Sequence, residues 1–367
     1  MPGMTTDKIR VGIIGASADR GWAKWCHLPA LTASPHYRLT AIAASTAANA
    51  EAAASQWGVG RAYHDPLELI ADPEVDLVTI AVPLTKRHGL VEAAIAAGKH
   101  VYCEWPLASD ASLAADWRDR ADAAGLRHAV GLQTRHHPAI RYFRDLIVQG
   151  WAGDPLSASL AYTLSTPPTW PARHAPLIGT KAVSRIYILG GHALDLFRRL
   201  VGDFTELSAT TAVRLPVAVL AETGEQLPTG TPDQIAITGT LKSGAVASVH
   251  IVTGSPRGSG YRFEFHGTKG RLALVSTDDS LVGPRFVLYG GQGQDELREL
   301  GLPDGYRQIL PGAPVTVSNV YQNYEDFAEA LRTGGPFEPS FDTATQVHRI
   351  IDAVEASGAD RHHKLLI

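Results

Sequence analysis

The first 133 residues alternate between strand-like and helix-like segments, and this alternation constrains the fold most. Strands are predicted at 8–14, 37–44, 61–63, 76–82, 100–103 and 128–132, with helices between most of them. Because crossovers between parallel strands are right-handed, the alternation places helices on both faces of one sheet. We predict an α/β chain in which residues 1–133 form a doubly wound, parallel dinucleotide-binding sheet of the Rossmann type, with its ligand at the carboxyl ends of the strands.

After Gln133 the pattern changes to several strands joined by turn signals. Strands are predicted at 156–164, 206–213, 234–241, 245–252, 261–265 and 270–275, with helices at 138–149, 192–201, 319–332 and 343–356. We therefore predict that residues 134–367 form an α+β domain for substrate binding and oligomerisation, with an open, predominantly antiparallel sheet. We expect the free face of this sheet to be apolar and buried in a homo-oligomer, a dimer or tetramer, through Ile235, Ile237, Val249 and Ile251.

Composition excludes several classes of partner. The formal net charge is -4 and the lysines and arginines are dispersed, which disfavours nucleic acid binding. No apolar run is long enough to cross a bilayer, and no signal-peptide pattern is visible near Met1. The two cysteines fit a reducing compartment, and adjacent histidine pairs lack the spacing of a metal site. We expect a cytoplasmic protein without a membrane, nucleic acid or metal partner.

A glycine-rich turn follows the first predicted strand. Its residues are Gly15-Ala16-Ser17-Ala18-Asp19-Arg20-Gly21, so Ser17 replaces the second glycine of the usual motif and the third glycine comes late. Such a turn lets backbone N–H groups approach a pyrophosphate at a helix start. The motif alone also fits a plain strand–helix turn, but its position in the alternating pattern favours dinucleotide binding by Gly15, Ser17 and Gly21.

The end of the second strand bears on the choice of dinucleotide. Sheets selective for NAD carry an acid there that binds the ribose 2′-hydroxyl, whereas this chain has Ser45 and Thr46. Two hydroxyls at a helix start can donate to a 2′-phosphate, which favours NADP, with NAD as the alternative. Both hydroxyls can also simply cap the helix.

Several short motifs are spread along the chain, namely Val11-Gly12-Ile13-Ile14-Gly15, His27-Leu28-Pro29-Ala30-Leu31, Ile80-Ala81-Val82-Pro83, Ala97-Gly98-Lys99-His100-Val101, Glu104-Trp105-Pro106 and Gly191-His192-Ala193-Leu194-Asp195. Together they resemble the Gfo/Idh/MocA oxidoreductases, the glucose-fructose oxidoreductase and inositol dehydrogenase family. The resemblance implies an NAD(P)-dependent oxidoreductase acting on a sugar, sugar derivative or cyclitol. Within the family, the chain resembles the branch that contains the fungal galactose-pathway repressor, so an inactive dinucleotide-binding regulator is the alternative.

The resemblance also implies roles for individual residues. Val82 and Pro83 would form the adenine-side wall, His88 and Glu104 would approach the nicotinamide end, and Gln133 and Arg135 would lie beside it. His192 matches the active-site histidine of the family.

Two positions depart from the family pattern. Trp105 stands where the family has a lysine that handles the substrate's proton, and Ile188 replaces the aspartate four residues before the histidine. His192 would then act as acid/base alone or with Lys181, Arg185 or Tyr187 from the long loop rich in Pro and Gly at 165–191. We expect Trp105, Trp170 and Arg185 to bind substrate. For Trp105 the alternatives are an indole face that stacks on a sugar ring and an aromatic plug at the strand end.

Overall fold

The computed structural model describes residues 8–166, 169–278, 285–306, 310–359 and 365–366. The described residues of Met1–Gln133 and Ile309–Gln346 form one compact unit, and those of Thr134–Gln308 and Val347–Ile367 form a second. No helix within these ranges is long and apolar enough to cross a membrane.

In its described part, the first unit has a six-stranded parallel sheet in the order β3-β2-β1-β4-β5-β6. The strands are β1 Ile9–Ile14, β2 Tyr37–Ala43, β3 Arg61–Tyr63, β4 Leu77–Ile80, β5 His100–Glu104 and β6 His128–Gly131. This order, in which consecutive strands run outward from β1 in both directions, confirms the predicted Rossmann-type sheet.

The second unit has a mixed, mostly antiparallel sheet of nine strands among the residues described. The strands that follow β6 along the chain are β7 Pro155–Ser165, β8 Phe204–Ala212, β9 Val217–Val219, β10 Gln226–Pro228, β11 Gln234–Leu241, β12 Val246–Ser255, β13 Gly260–Gly267, β14 Gly270–Ser276, β15 Val287–Gln292, β16 Arg298–Glu299 and β17 Leu365–Leu366. β9 and β10 form a separate hairpin, and the pairing of β7 with β12 is parallel. The predicted α+β architecture is confirmed.

The α-helices are α1 Leu28–Ala33, α2 Ala47–Trp57, α3 Pro66–Ala71, α4 His88–Ala96, α5 Ala111–Ala123, α6 Pro138–Val148, α7 Gly191–Val201, α8 Val315–Thr333 and α9 Phe341–Ala359. Several of them begin where a polar side chain accepts a hydrogen bond from one of the first backbone N–H groups. Thr46 Oγ1 accepts a hydrogen bond from Asn49 N at 3.2 Å, and Asp110 accepts one from Leu113 N at 2.9 Å. These side chains fix the starts of α2 and α5.

Helix α8 packs into the core of the first unit although it lies late in the chain. Val320, Tyr324 and Phe327 of α8 join Tyr37 and Tyr102 in one buried cluster. From the sequence this helix is predicted to belong to the second domain. An apolar face indicates that a helix is buried, but it does not identify the sheet against which the helix packs. The predicted domain ranges, 1–133 and 134–367, remain a prediction.

The prediction that these four apolar residues lie on the uncovered face of the second sheet was wrong. Ile235, Ile237, Val249 and Ile251 are at most 8% exposed, and they lie on the face covered by helices. Ile235, Ile237 and Ile251 line one small space together with Leu194 of α7 and with Ile351 and Val354 of α9. The alternate positions on β11 and β12, including Thr238, Ser248 and His250, are exposed. Strand alternation identifies two faces but not which one the helices cover.

Candidate functional site

The turn after β1 approaches a neighbouring strand end too closely for a side chain. Gly15 has φ +96°, and a Cβ there would lie 2.7 Å from the carbonyl oxygen of Ala81. Gly21 has φ +99° with open space around it. Both positions require glycine, and the open backbone at the carboxyl end of β1 suits the approach of a phosphate.

Ser17 and Asp19 form a polar pair within this turn. The Ser17 hydroxyl donates to the Asp19 carboxylate, and this hydrogen bond lowers the pKa of Asp19. At the end of β2, Ser45 and Thr46 are exposed and Thr46 caps α2. The Thr46 hydrogen can still be donated, because the cap uses only the oxygen as an acceptor.

Glu104, the last residue of β5, is held by a chain of buried polar groups. Nε2 of His27 lies 2.9 Å from Glu104 Oε1, and Nδ1 of His27 lies 2.8 Å from the Tyr324 hydroxyl, which lies 3.0 Å from Thr79 Oγ1. Burial raises the pKa of Tyr324 well above its ordinary value, so its phenol keeps its proton at neutral pH. The chain fixes the Glu104 carboxylate at the strand's carboxyl end.

The residues around Glu104 leave room for its carboxylate and bind its backbone. A Cβ on Gly131 of β6 would lie 2.1 Å from Glu104 Oε1, so only glycine leaves room for this carboxylate. Arg87 is buried and donates from Nε to the carbonyl oxygen of Val82 at 2.7 Å and from Nη1 to the carbonyl oxygens of Glu104 and Pro106. Trp105 is buried and precedes a cis peptide bond to Pro106.

The remaining predicted cofactor residues of the first unit differ in their placement. Val82 is half-buried beside Gly15, and Pro83 is exposed. His88 is exposed at the start of α4, where its Nε2 lies 3.5 Å from Glu92 Oε2 and its ring centre lies 5.7 Å from that of Trp117. Gln133 is buried, and neither polar atom of its amide has a hydrogen-bond partner within the described residues. A buried amide without partners is costly unless a ligand satisfies it.

In the second unit, His192 is the second residue of α7 and is buried. Three residues later on the same helix face, Asp195 forms a buried ion pair with Arg135, whose Nε lies 3.2 Å from Oδ2 and whose Nη2 donates to Oδ1. Arg135 was predicted to bind cofactor, but its guanidinium is engaged by Asp195. The pair holds the helix that carries His192.

Lys181 and Tyr187, the predicted catalytic partners of His192, both contact Glu355 on α9. Lys181 Nζ lies 2.9 Å from Glu355 Oε2, and the Tyr187 hydroxyl donates to Oε1 of the same carboxylate. Lys181 Nζ also lies 4.8 Å from the centre of the Tyr187 ring. Burial and then the hydrogen bond to Glu355 raise the pKa of Tyr187. The Lys181 ammonium and the Tyr187 hydroxyl therefore both bind the same carboxylate on α9.

Trp170 and Arg185, the predicted substrate residues of the second unit, line one cavity of about 490 Å³. His192 is not among the residues that line it. Sequence reasoning missed four residues that organise the two units, namely His27, Arg87, Asp195 and Glu355. For His27 the available signal was a histidine inside a largely apolar segment, because such residues are rarely buried without a partner.

Two family descriptions match the chain. Residues 9–132 match "Oxidoreductase family, NAD-binding Rossmann fold", and residues 140–273 match "GFO/IDH/MocA C-terminal domain".

Named relatives include enzymes and one regulator. A dTDP-3,4-didehydro-2,6-dideoxy-alpha-D-glucose 3-reductase of Streptomyces violaceoruber is 30% identical over 90% of this chain and 87% of its own. The dehydrogenase aclE of Aspergillus oryzae is 37% identical, but the match spans only 61% of this chain and 63% of that protein. The galactose/lactose metabolism regulatory protein GAL80 of Saccharomyces cerevisiae is 26% identical over 95% and 92% of the two chains.

Solved structures share the fold. A super-repressor mutant of Gal80p from Saccharomyces cerevisiae superposes with a TM-score of 0.85 at 22% identity, and the match covers 98% of each chain. A levoglucosan dehydrogenase in complex with NADH and levoglucosan superposes with a TM-score of 0.84 at 24% identity, covering 98% of this chain and all of the other.

Proposed function

Because the chain belongs to the Gfo/Idh/MocA oxidoreductase family, we propose that it is an NAD(P)-dependent oxidoreductase acting on a hydroxyl or keto group of a sugar, sugar derivative or cyclitol. The observation that carries this proposal is the placement of His192. It is buried at the start of α7, and the helix is held by the buried Arg135–Asp195 pair. An imidazole held in a fixed position can accept or donate the proton of a carbinol oxygen.

The first unit supplies residues that fit a dinucleotide. Gly15, Ser17 and Gly21 would hold the pyrophosphate, because a side chain at Gly15 is sterically excluded and the turn is otherwise open. The adenosine end would contact Ser45, Thr46, Val82 and Pro83. At the other end, the unpartnered amide of Gln133 and the fixed carboxylate of Glu104 would hold the nicotinamide riboside. A bound nicotinamide accepts or supplies a hydride.

Ser45 and Thr46 support a preference for NADP over NAD. Neither residue carries the negative charge that would repel a 2′-phosphate, and both are exposed at the end of β2. The hydroxyl hydrogens of both residues are available to a phosphate oxygen.

His192 transfers the proton to and from the substrate oxygen. In the oxidative direction its imidazole accepts the proton of the substrate hydroxyl as the carbon loses hydride, and in the reductive direction the imidazolium returns a proton to the carbonyl oxygen. Trp105 brings no ammonium to this step, so His192 acts without the family's lysine. The contacts of Lys181 and Tyr187 with Glu355 support a role for both residues in holding the loop on α9.

A second candidate is a regulator that binds the dinucleotide without turnover. Two observations favour it, namely the replacement of the family's lysine and aspartate by Trp105 and Ile188 and the similarity to GAL80. Such a regulator would bind a partner protein through its second domain.

A screen with reduced-nicotinamide absorbance distinguishes the two. Sugars, cyclitols and their keto forms are tested with NAD and NADP, and binding of each dinucleotide is measured separately by calorimetry. Turnover of at least one polyhydroxylated compound supports the enzyme. Tight dinucleotide binding with no turnover of any compound supports the regulator.

A further inference from the structure

The second unit contains a cavity large enough for a substrate larger than one sugar ring. Its volume is about 490 Å³, within the range of ligand pockets in proteins. One wall is apolar and comprises Trp170, Ile178, Leu215, Val217 and Val219. An apolar wall of this extent is suited to a ring that carries few hydroxyl groups.

Two hydrogen bonds hold the backbone of Trp170 in place. Trp170 N donates to the carbonyl oxygen of Val219 at 2.8 Å, and the Trp170 carbonyl accepts from Ala221 N at 2.8 Å. Both bonds join the tryptophan to the segment that forms the apolar wall. A tryptophan held in this way offers a flat surface at little entropic cost to the ligand that stacks on it.

Arg185 brings a positive charge to the same cavity. Its Nε is buried and has no hydrogen-bond partner among the residues described, and no carboxylate within that part of the chain forms an ion pair with it. Asp233 is the acid among the described lining residues, but it accepts hydrogen bonds from Arg214 N at 2.8 Å and from Leu215 N. Those backbone amides hold the Asp233 carboxylate without removing its charge, and among the described residues Asp233 forms no ion pair with Arg185.

Thr166 adds a hydroxyl donor to the cavity lining. Its Oγ1 accepts a hydrogen bond from Gly254 N at 2.8 Å. The oxygen is thereby oriented, and the hydroxyl hydrogen remains available for a ligand oxygen.

We propose that this cavity binds an organic anion in which an apolar ring is joined to a polyhydroxylated group bearing a carboxylate. The carboxylate would pair with Arg185, since guanidinium groups bind carboxylates through two parallel hydrogen bonds. The apolar ring would lie against Trp170. This inference stands apart from the proposed function, because His192 is not among the residues that line the cavity.

The probes for this inference are phenyl β-D-glucuronide and its neutral counterpart phenyl β-D-glucoside. Their binding to the full-length chain is measured by calorimetry in the presence of NADH, so that no oxidation accompanies binding. We expect the glucuronide to bind roughly 10- to 100-fold more tightly than the glucoside, the usual effect of a charge-assisted pair. Arg185→Gln should remove this preference, whereas Arg185→Lys should retain part of it.

Two further variants distinguish the effect of Arg185 on probe binding from general effects of mutation. Arg173 is exposed on the same loop and does not line the cavity, so Arg173→Gln should keep the full preference for the glucuronide. Trp170→Ala should weaken both probes alike. Thermal unfolding of each variant verifies that it is folded.

Equal affinity for the two probes, a preference that survives Arg185→Gln, or no binding of either probe at millimolar concentration would each overturn the inference. The turnover screen tests the proposed function separately. Turnover of neutral sugars without a preference for the anionic probe refutes only the inference. An anionic preference without any turnover refutes only the enzyme.

Discussion

Nε2 of His27 lies 2.9 Å from Oε1 of Glu104, and both groups are buried. His27 directly precedes α1, and Glu104 ends β5, so the contact ties the start of the first helix to the strand end where the nicotinamide is proposed to lie. On its other side the same imidazole contacts the Tyr324 hydroxyl on α8. The orientation of Glu104 therefore depends on a residue 77 positions earlier in the chain.

Replacing His27 should destabilise the first unit. His27→Leu leaves the buried Glu104 carboxylate and the Tyr324 hydroxyl without this partner, so we expect the free energy of unfolding to fall by about 2–4 kcal/mol. Tyr324→Phe removes one hydroxyl and keeps the ring, and it should cost about 1–2 kcal/mol. Urea denaturation measures both. A His27→Leu protein as stable as wild type would show that the contact contributes nothing.

Ser45→Asp should change the choice of dinucleotide. A carboxylate at this position repels a 2′-phosphate and accepts hydrogen bonds from a ribose. We expect affinity for NADP to fall at least about 10-fold while affinity for NAD holds or rises. Ser45→Ala is the matched control and should weaken NADP only slightly. Tighter binding of NAD than NADP by the wild-type protein would contradict the preference.

Tyr187→Phe should leave turnover almost unchanged. Its hydroxyl donates to Glu355, so we expect kcat to change by less than about 3-fold, compared with the roughly 10²- to 10⁴-fold loss typical of a general acid/base. Glu355→Gln should lower stability by about 1–2 kcal/mol, because Lys181 and Tyr187 lose a shared charged acceptor. If Tyr187→Phe lost 100-fold in kcat while its unfolding was unchanged, Tyr187 would regain its predicted catalytic role.

The half-buried His100 and the buried His128 should make the first unit sensitive to acid. Nδ1 of His100 accepts from Arg127 N at 3.0 Å, and Nδ1 of His128 accepts from Phe341 N at 3.1 Å. Burial lowers the pKa of both below the ordinary 6.5. The folded protein thus favours neutral imidazoles, and their contribution to stability is complete above pH 6.5 and is lost as the pH falls through the lowered values.

Thermal unfolding between pH 7.5 and pH 5 measures this contribution. A variant with both His100→Gln and His128→Gln should lose less stability on acidification than wild type. Replacing the exposed His250 by Gln should leave the pH dependence as it is. An unchanged acid response in the double variant would assign the sensitivity to other groups.

Local patterns predicted most elements but not their partners. The run at 37–44 became Tyr37–Ala43, and the turn at Lys242-Ser243-Gly244 joins the antiparallel pair β11 and β12. The strand Val287–Gln292 was missed because Gly290 and Gly291 lower its strand propensity.

The candidate site shows the same contrast between local positions, which the sequence predicts, and partners, which it does not. Glu104 and His192 could be placed at a strand end and a helix start, because local sequence determines both positions. Lys181 and Tyr187 could not be placed, because their partner Glu355 lies 174 residues beyond Lys181 and only the tertiary fold brings them together.

The central claim is that His192 performs proton transfer in a working oxidoreductase. The most direct test compares kcat of wild type and His192→Ala on a compound that turns over, with dinucleotide affinity measured in parallel and His250→Ala as an exposed control. We expect His192→Ala to lose roughly 10²- to 10⁴-fold in kcat, with dinucleotide affinity unchanged and the control at wild-type rate. Equal kcat for wild type and His192→Ala would contradict the account.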